Sequence, residues 1–294
     1  MSSGNASNVL IIGLGEIGYC NAEYMTSRGL KVDGYDISDD AIQVALDSGV
    51  IRKGTKNFGG YDYYVISIST HAQRDMSKPS LDGLFETAIK LSREGKIGSL
   101  VSIESTIMKG VSRRVNDILD HRMHVVHFPH RYYAREKLEH GVKQMRVLGG
   151  CEPCCLNKAM HFYGMLLDIP MHLVNSAEVA ELSKVVENSY RFLDIAFAEE
   201  LKLVCHYQDV DFEELRNACN TKWNVEILEA RNGIGGHCLP KDSQMYIDLS
   251  KGILPSIVES AKLVDSQYRQ HLIIEQKRRA KPTIEPKVAY AQRQ

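Results

Sequence analysis

The sequence lacks the features that mark membrane, exported and nucleic-acid-binding proteins. No apolar run approaches the ~20 residues that a membrane-spanning helix needs. The first residues, MSSGNASN, place no basic segment before an apolar run, so we expect no signal peptide. A formal net charge of −1 offers no basic excess for a nucleic acid or an anionic membrane. Seven cysteines, an odd number without an export signal, indicate free thiols in a reducing cytoplasm.

Sequence patterns typical of metal-binding sites are also scarce. The segment CEPCC, Cys151 to Cys155, has the first half of a zinc-site pattern, but no second CxxC and no spaced Cys/His pair follows it. We therefore expect no metal site in this protein.

The first part of the chain alternates between short β-rich runs and helical stretches. The predicted strands are 9–12, 31–35, 63–68, 100–103, 125–128 and 146–148. The predicted helices are 18–28, 41–48, 81–92, 111–119 and 157–167. This alternation predicts an α/β fold with an N-terminal Rossmann-type, doubly wound parallel sheet.

After Met171 the pattern becomes helical. Ser176 can cap a long central helix from Ala177 to about His206. Further helices are predicted at 212–219, 225–230 and 254–279. The length of 294 residues allows about two domains with hydrophobic cores. We predict a Rossmann-type domain at 1–172, an all-helical domain at 173–280 and a flexible tail at 281–294.

A glycine pattern typical of dinucleotide sites follows the first predicted strand. GLGEIG, Gly13 to Gly18, opens a helix there, which is the context that this fingerprint requires. Asp36 ends the second strand, where a carboxylate binds ribose hydroxyls and repels a 2′-phosphate. We therefore predict NAD rather than NADP; a Rossmann domain that binds FAD or nothing is the alternative. The candidate cofactor-binding residues are Gly13, Gly15, Glu16, Ile17, Gly18, Asp36, Thr70, Glu104 and Thr106.

A second glycine-rich segment, NGIGGHCLPKD, covers residues 232–242 and contains Gly233, Gly235 and Gly236. Glycines there would let a ligand approach the backbone closely, and Pro240 suits the first turn of a helix. Cys238 would then lie at or just before a helix N-terminus, which favours the thiolate, with Asp242 about one turn later. The alternative is a tight loop that holds a buried cysteine.

Other polar residues could complete a site. Lys184 and Asn188, four residues apart on the long helix, share a face and could hold an alkoxide or an oxyanion; a solvated pair is the alternative. Thr106 follows a strand whose end faces the ligand crevice of a doubly wound sheet, although it could simply cap a helix. His130, after another strand, is either a site residue near the substrate loop or a surface histidine.

Four motifs together resemble the UDP-sugar 6-dehydrogenases, the family of UDP-glucose and UDP-N-acetylmannosamine dehydrogenases. They are GLGEIG, ESTIMKG at 104–110, AELSKVVENSYRFLDIAFAEEL at 180–201 and GIGGHCLPKD at 233–242. The resemblance implies NAD-dependent oxidation of a primary alcohol of a nucleotide sugar to a carboxylate, in two hydride transfers, for polysaccharide biosynthesis. It also implies a homodimer through the helix at 254–279.

The resemblance further implies roles for five residues. Cys238 resembles the nucleophile that captures an aldehyde as a thiohemiacetal, which becomes a thioester and is hydrolysed. Lys184 resembles the cation that stabilises oxyanions, and Asn188 its hydrogen-bonding partner. Asp242 resembles the carboxylate that activates or places water, and Thr106 the threonine beside the nicotinamide.

The sequence departs from the family pattern in two places. The family has a proline–glutamate pair whose glutamate takes part in acid–base steps, whereas Pro129 is followed here by His130. The family also has a third, C-terminal domain that grips UDP, and this chain stops soon after the last predicted helix. A truncated chain, a separate UDP-binding polypeptide and a two-domain form with another substrate remain open.

Two other functions stay in play. One is a two-electron β-hydroxyacid-type dehydrogenase, because two-domain members of that class share a KxxxN helix like that of Lys184 and Asn188 but use no nucleophilic cysteine. The other is an NAD-binding paralogue that has lost catalysis, which His130 and the absent third domain suggest.

Overall fold

The protein is described by a computed structural model over residues 7–72, 75–133, 136 and 141–279, and the predicted tail at 281–294 lies outside this part. The chain forms two compact units. The first comprises the residues up to Ser189 together with Lys241–Asp248, and the second comprises Tyr190–Pro240 together with the residues from Leu249 on. The boundary thus differs from the predicted one near residue 172.

The first unit is built on a seven-stranded sheet. Its strands and those of a separate small hairpin are β1 (Asn8–Ile12), β2 (Lys31–Tyr35), β3 (Tyr63–Ile66), β4 (His71–Ala72), β5 (Asp75–Pro79), β6 (Leu100–Ile103), β7 (His124–His127), β8 (Arg146–Gly150) and β9 (Met171–Val174). The order in the large sheet is β2-β1-β3-β6-β7-β8-β9, and β4 pairs with β5. The hairpin was not predicted from the sequence.

The sheet is parallel as predicted from β2 to β7, but β8 runs antiparallel to β7. A parallel neighbour requires a crossover connection, usually a helix. The described residues between these two strands contain no α-helix. The doubly wound parallel sheet is confirmed from β2 to β7, whereas the reversal at β8 was not predicted, and β9 continues parallel to β8 in the reversed direction.

Among the described residues, the helices that belong to this unit alone are α1 (Glu16–Ser27), α2 (Asp39–Asp47), α3 (Asp82–Glu94), α4 (Val111–Ile118) and α5 (Pro153–Ala159), which a π-helical stretch, Met160–Leu166, continues. Helices and sheet enclose two hydrophobic clusters. In β1, Val9 and Ile11 enter one cluster while Leu10 and Ile12 enter the other. Successive strand side chains point to opposite faces, so an uninterrupted apolar strand indicates a sheet that is covered on both sides.

Four helices follow: α6 (Ala177–Gln208), α7 (Phe212–Cys219), α8 (Cys238–Ser250) and α9 (Ile257–Arg279). The start of α6 belongs to the sheet unit because Ala177 lies in its core and Glu181 accepts hydrogen bonds from the Gly110 and Ser112 amides. No helix in the described part of the chain combines the length and the apolarity needed to cross a membrane.

The helix predicted at 225–230 is wrong. Asn220 donates its side-chain amide to the Ile227 carbonyl at 3.0 Å and accepts from the Ile227 N–H at 2.7 Å. These bonds occupy the two backbone groups that a helix would use, so the segment is irregular although four of its six residues are apolar.

Candidate active site

The predicted cofactor turn has the tight packing that its glycines allow. Gly13 has φ +92°, and a Cβ there would lie 2.6 Å from the Ser67 carbonyl oxygen. A Cβ on Gly18 would lie 1.7 Å from the Gly13 carbonyl oxygen, so no larger residue fits without moving the backbone. Gly15 precedes α1 and faces open space. A helix N-terminus with open backbone in front of it can bind a pyrophosphate.

A cavity of about 480 Å³ lies beside this turn, lined among others by Gly13, Gly15, Asp36 and Ser67. Asp36 accepts hydrogen bonds from the Leu14 amide at 2.6 Å and the Ser38 amide at 2.8 Å. These bonds fix the carboxylate at the cavity wall, where its remaining lone pairs can accept ribose hydroxyls. The cavity volume, the open turn and the carboxylate fit a dinucleotide.

The other predicted cofactor residues occupy three environments. Glu16 is exposed and Ile17 half-buried in the first turn of α1. Thr70 is buried, and its hydroxyl donates to the Thr106 carbonyl at 2.8 Å. Thr106 is half-buried and lies before Gly110, the residue that precedes α4, so its alternative role as a helix cap is wrong.

Glu104 lies in a buried polar cluster. Its carboxylate contacts the Arg146 guanidinium at 2.9 Å and accepts from the Tyr163 hydroxyl and the Asn21 side-chain amide, both at 2.7 Å. Burial alone would raise the pKa of Glu104, but the positive charge of Arg146 and these hydrogen bonds hold it at about 2. Sequence reasoning missed Arg146, Tyr163 and Asn21, because each is an ordinary strand or helix residue until the fold assembles them.

His130 belongs to the same cluster, so its reading as a surface histidine is wrong. Its Nε2 lies 2.9 Å from Asn21 Oδ1 and 3.2 Å from a Glu104 carboxylate oxygen. Burial and Arg146 lower the pKa of His130 to about 4, which makes the imidazole neutral at pH 7. Both neighbours of Nε2 are acceptors, so Nε2 carries the proton and Nδ1 keeps its lone pair. That Nδ1 has no hydrogen-bond partner within the described ranges.

Lys184, Asn188 and Asp242 form a connected chain within the first unit. Lys184 Nζ lies 3.5 Å from Asn188 Oδ1, and the Asn188 side-chain amide donates to Asp242. Lys241 extends the chain, since its ammonium group lies 2.7 Å from Asp242 and 3.3 Å from the Thr70 hydroxyl. Lys184 and Asn188 are half-buried and are joined through Asn188 to the buried Asp242 and Lys241, which favours a site over the alternative of a solvated pair.

Sequence reasoning missed Lys241. It adjoins Asp242 in the LPKD segment, but a lysine at a predicted helix start is usually exposed. Here the side chain is 4% exposed. Contacts of residues 241 and 242 with Thr70 and Asn188 explain why the segment Lys241–Asp248 joins the first unit.

Cys238 is the first residue of α8, as predicted, and it is exposed, so the alternative of a buried cysteine in a loop is wrong. The preceding loop uses left-handed backbone at Gly233 (φ +86°) and Gly236 (φ +75°), while Gly235 faces open space. The loop is anchored at Ile234, whose N–H donates to Asp265 at 2.7 Å and whose carbonyl accepts from Arg269. Asp242 follows Cys238 by one turn of the same helix.

Comparison with known proteins shows which family this chain resembles. Residues 178–267 match the central domain of the UDP-glucose/GDP-mannose dehydrogenase family. The UDP-N-acetyl-D-mannosamine dehydrogenase of Campylobacter jejuni is 27% identical over 96% of this chain and 77% of its own. The NDP-N-acetyl-D-galactosaminuronic acid dehydrogenase of Ralstonia nicotianae is 26% identical over 96% of this chain and 74% of its own.

The solved structures agree. A UDP-D-ManNAc dehydrogenase from Pyrococcus horikoshii superposes with a TM-score of 0.79 at 25% identity, over 93% of this chain and 72% of that chain. The chain is thus similar to the UDP-glucose/GDP-mannose dehydrogenase family in its central domain and to nucleotide-sugar dehydrogenases over nearly its whole length. This confirms the resemblance drawn from the four motifs. The dehydrogenase is thus an oxidoreductase, and NAD is the cofactor that its glycine turn and Asp36 accommodate.

Proposed function

We propose that this dehydrogenase oxidises the primary alcohol of an N-acetylated nucleotide sugar to a carboxylate, with Cys238 as covalent nucleophile. The similar Campylobacter and Ralstonia dehydrogenases are both named for nucleotide sugars that carry an N-acetyl group. The observation that carries the proposal is the exposed thiol at the first residue of α8, the helix that also bears Asp242. An exposed thiol at the first turn of a helix is open to a substrate.

Different residues would bind different parts of the cofactor. NAD, when bound, supplies the hydride acceptor for both oxidations. The turn from Gly13 to Gly18 would hold its pyrophosphate at the N-terminus of α1, and Asp36 would accept the ribose hydroxyls. Thr106 would lie beside the nicotinamide, positioned by Thr70, whose hydroxyl donates to the Thr106 carbonyl.

In the covalent step, the Cys238 thiolate adds to the aldehyde carbon, a carbon–sulfur bond forms, and the carbonyl oxygen becomes an oxyanion. The Lys184 ammonium group would stabilise that oxyanion, and Asn188 would hold the lysine in place. Oxidation of the adduct leaves a thioester. A water placed by Asp242 then attacks its carbonyl carbon and gives one proton to Asp242, the carbon–sulfur bond breaks, the sulfur takes the second proton, and the carboxylate is released.

The network around Asp242 supports this division of roles. Asp242 is 1% exposed and is held by Asn188 and Lys241, so its carboxylate has one orientation. Lys241, which contacts both Asp242 and the Thr70 hydroxyl, would fix the position of the Asp242 carboxylate, and we assign it as a positioning residue. His130 stands where the family has a glutamate. It offers a neutral acceptor nitrogen, whereas the glutamate offers a charged carboxylate.

The Cys238→Ser variant tests the proposal, with Cys219→Ser as the matched control. We expect carboxylate formation from UDP-N-acetylhexosamines to fall about a thousandfold or more in the first variant and to stay normal in the second. The wild-type protein should form two NADH per substrate consumed. One NADH per substrate would instead support a two-electron hydroxyacid dehydrogenase. Binding of NAD without turnover on any nucleotide sugar would support the non-catalytic paralogue.

We further propose that the dehydrogenase is a cytoplasmic homodimer that uses α9. Leu263 and Ile274 are 61% and 50% exposed, and their spacing of eleven residues puts them on one face of the helix. Exposed apolar side chains in a row favour a symmetric contact between two copies. None of the seven cysteines forms a disulfide, which agrees with a reducing compartment.

A further inference from the structure

We propose that His124, Cys154 and Cys155 form a binding site for a thiophilic metal ion, with Zn²⁺ as the ion that fits the donors. One imidazole nitrogen and two thiol sulfurs lie within 4.8 Å of one another. No role in the dehydrogenase chemistry uses these residues. The sequence predicted no metal here because no Cys/His pair follows CEPCC, whereas His124 precedes it.

The reversed strand explains the cluster. Because β8 is antiparallel to β7, its end returns to the beginning of β7, where His124 is the first residue. The Cys151 amide donates to the Val125 carbonyl at 3.1 Å, and α5 then begins at Pro153. Cys154 and Cys155, in the first turn of α5, are thereby placed beside His124. A parallel β8 would have carried them to the opposite edge of the sheet.

The donor set selects the class of ion. Two thiolates and a neutral imidazole balance a divalent charge and suit Zn²⁺, whereas Mg²⁺ and Ca²⁺ prefer oxygen. Ligands of one tetrahedral zinc ion are roughly 3.5 Å apart, so side-chain rotations suffice to close the cluster. Cys155 is 2% exposed and Cys154 is exposed, so the ion would be held on its inner side by protein. Its outer side leaves one position for water.

Cys151 is excluded from the site because its side chain and that of Cys155 point to different sides of the sheet. Its side chain lies in one hydrophobic cluster of the sheet unit and that of Cys155 lies in the other. CEPCC therefore contributes its last two cysteines, not the CxxC pair that its spacing suggests.

The cluster is remote from the cofactor cavity. That cavity lies at the carboxyl ends of β1 and β3, beside Gly13 and Ser67. β7 is parallel to these strands through β6, so its first residue lies at the amino edge. Loss of the metal should therefore leave NAD binding intact, and failure of the proposed sugar chemistry would not affect this inference.

The test is titration of the full chain with Co²⁺ and with Zn²⁺ under a non-chelating reductant. One equivalent of Co²⁺ should give a thiolate-to-metal charge-transfer band and the intense visible bands of tetrahedral cobalt. Cys154→Ser and His124→Gln should each weaken Zn²⁺ affinity about tenfold or more, since even indirect partners of a metal contribute that much. Cys219→Ser and His161→Gln, which change the same residue types elsewhere, should not alter it. Circular dichroism would check that each variant is folded.

A second cluster in the helical unit makes the outcome decisive. His206, His271 and Glu275 also bring their ligand atoms within 4.8 Å of one another, but they offer no sulfur. A cobalt spectrum without the thiolate band, abolished by His271→Gln, would overturn the assignment. So would thiolate bands that persist in folded Cys154→Ser and His124→Gln variants, or no binding of either ion at micromolar concentrations.

Discussion

Replacing Glu104 by glutamine should strongly destabilise the sheet unit, because it leaves a buried arginine without its anion. Both side chains of the Glu104–Arg146 pair are 0% exposed, and their charged atoms are 2.9 Å apart. Removing one partner of a buried ion pair costs about 3–5 kcal/mol. The pKa of Glu104 leads to a similar magnitude. A pKa of about 2 instead of 4.5 means that the folded protein favours the ionised carboxylate by about 3 kcal/mol.

The same shift sets the pH dependence. The pKa of Glu104 is lower in the folded protein than in the unfolded chain, so the unfolded chain binds the proton more readily. The stabilisation should be complete above about pH 4.5 and should be lost as the pH falls from there through about 2. The Glu104→Gln variant should lack this acid-dependent loss.

Hydrogen exchange of the β6 and β7 amides measures the effect locally, apart from any unfolding of the helical unit. Glu23→Gln, which changes an exposed carboxylate on α1, is the control and should stay within about 0.5 kcal/mol of the wild type. The double variant Glu104→Met/Arg146→Met should lose less stability than Glu104→Gln, since no charge is left buried. A cost below about 1 kcal/mol for Glu104→Gln, or a double variant as damaged as the single one, would refute the reasoning.

Two further predictions concern the helical unit. Burial, with repulsion from Asp265, raises the pKa of Glu199 to about 7. The folded protein therefore binds this proton more tightly than the unfolded chain does. The free energy of unfolding should fall by up to about 3 kcal/mol as the pH rises from about 4.5 to 7. Thermal unfolding of Glu199→Gln across that range should show no such fall; an unchanged pH profile would contradict the assignment. Leu263→Asp should convert the proposed dimer to a monomer in sedimentation velocity, and an unaltered sedimentation coefficient would remove α9 from the interface.

Local patterns were enough for most elements of the fold. The strands at 31–35 and 100–103 have the predicted bounds, and Cys238 begins a helix. These features depend on neighbours in sequence: short strand-like segments alternate with helical ones, and a glycine loop followed by an early proline starts a helix. The cofactor turn could also be predicted from the sequence, because the glycine spacing and the close packing at Gly18 are parts of one motif.

Hydrogen bonds and ion pairs between residues far apart in sequence could not be predicted in this way. Asn220 keeps Ile227 out of a helix through bonds that no propensity scale contains. His130 was equally compatible with a surface loop and with a site until Glu104, Asn21 and Arg146 were placed around it.

By itself, then, the sequence determined the α/β class, the dinucleotide turn, the helix that carries Lys184 and Asn188, and the family resemblance, because each is a local pattern of residue types. Only the tertiary structure decided the direction of β8, the burial of Glu104 with Arg146, the contact of Lys241 with Thr70, and the meeting of His124 with Cys154 and Cys155. Those features join residues far apart in sequence, and their energies depend on desolvation and distance, which exist only once the chain has folded.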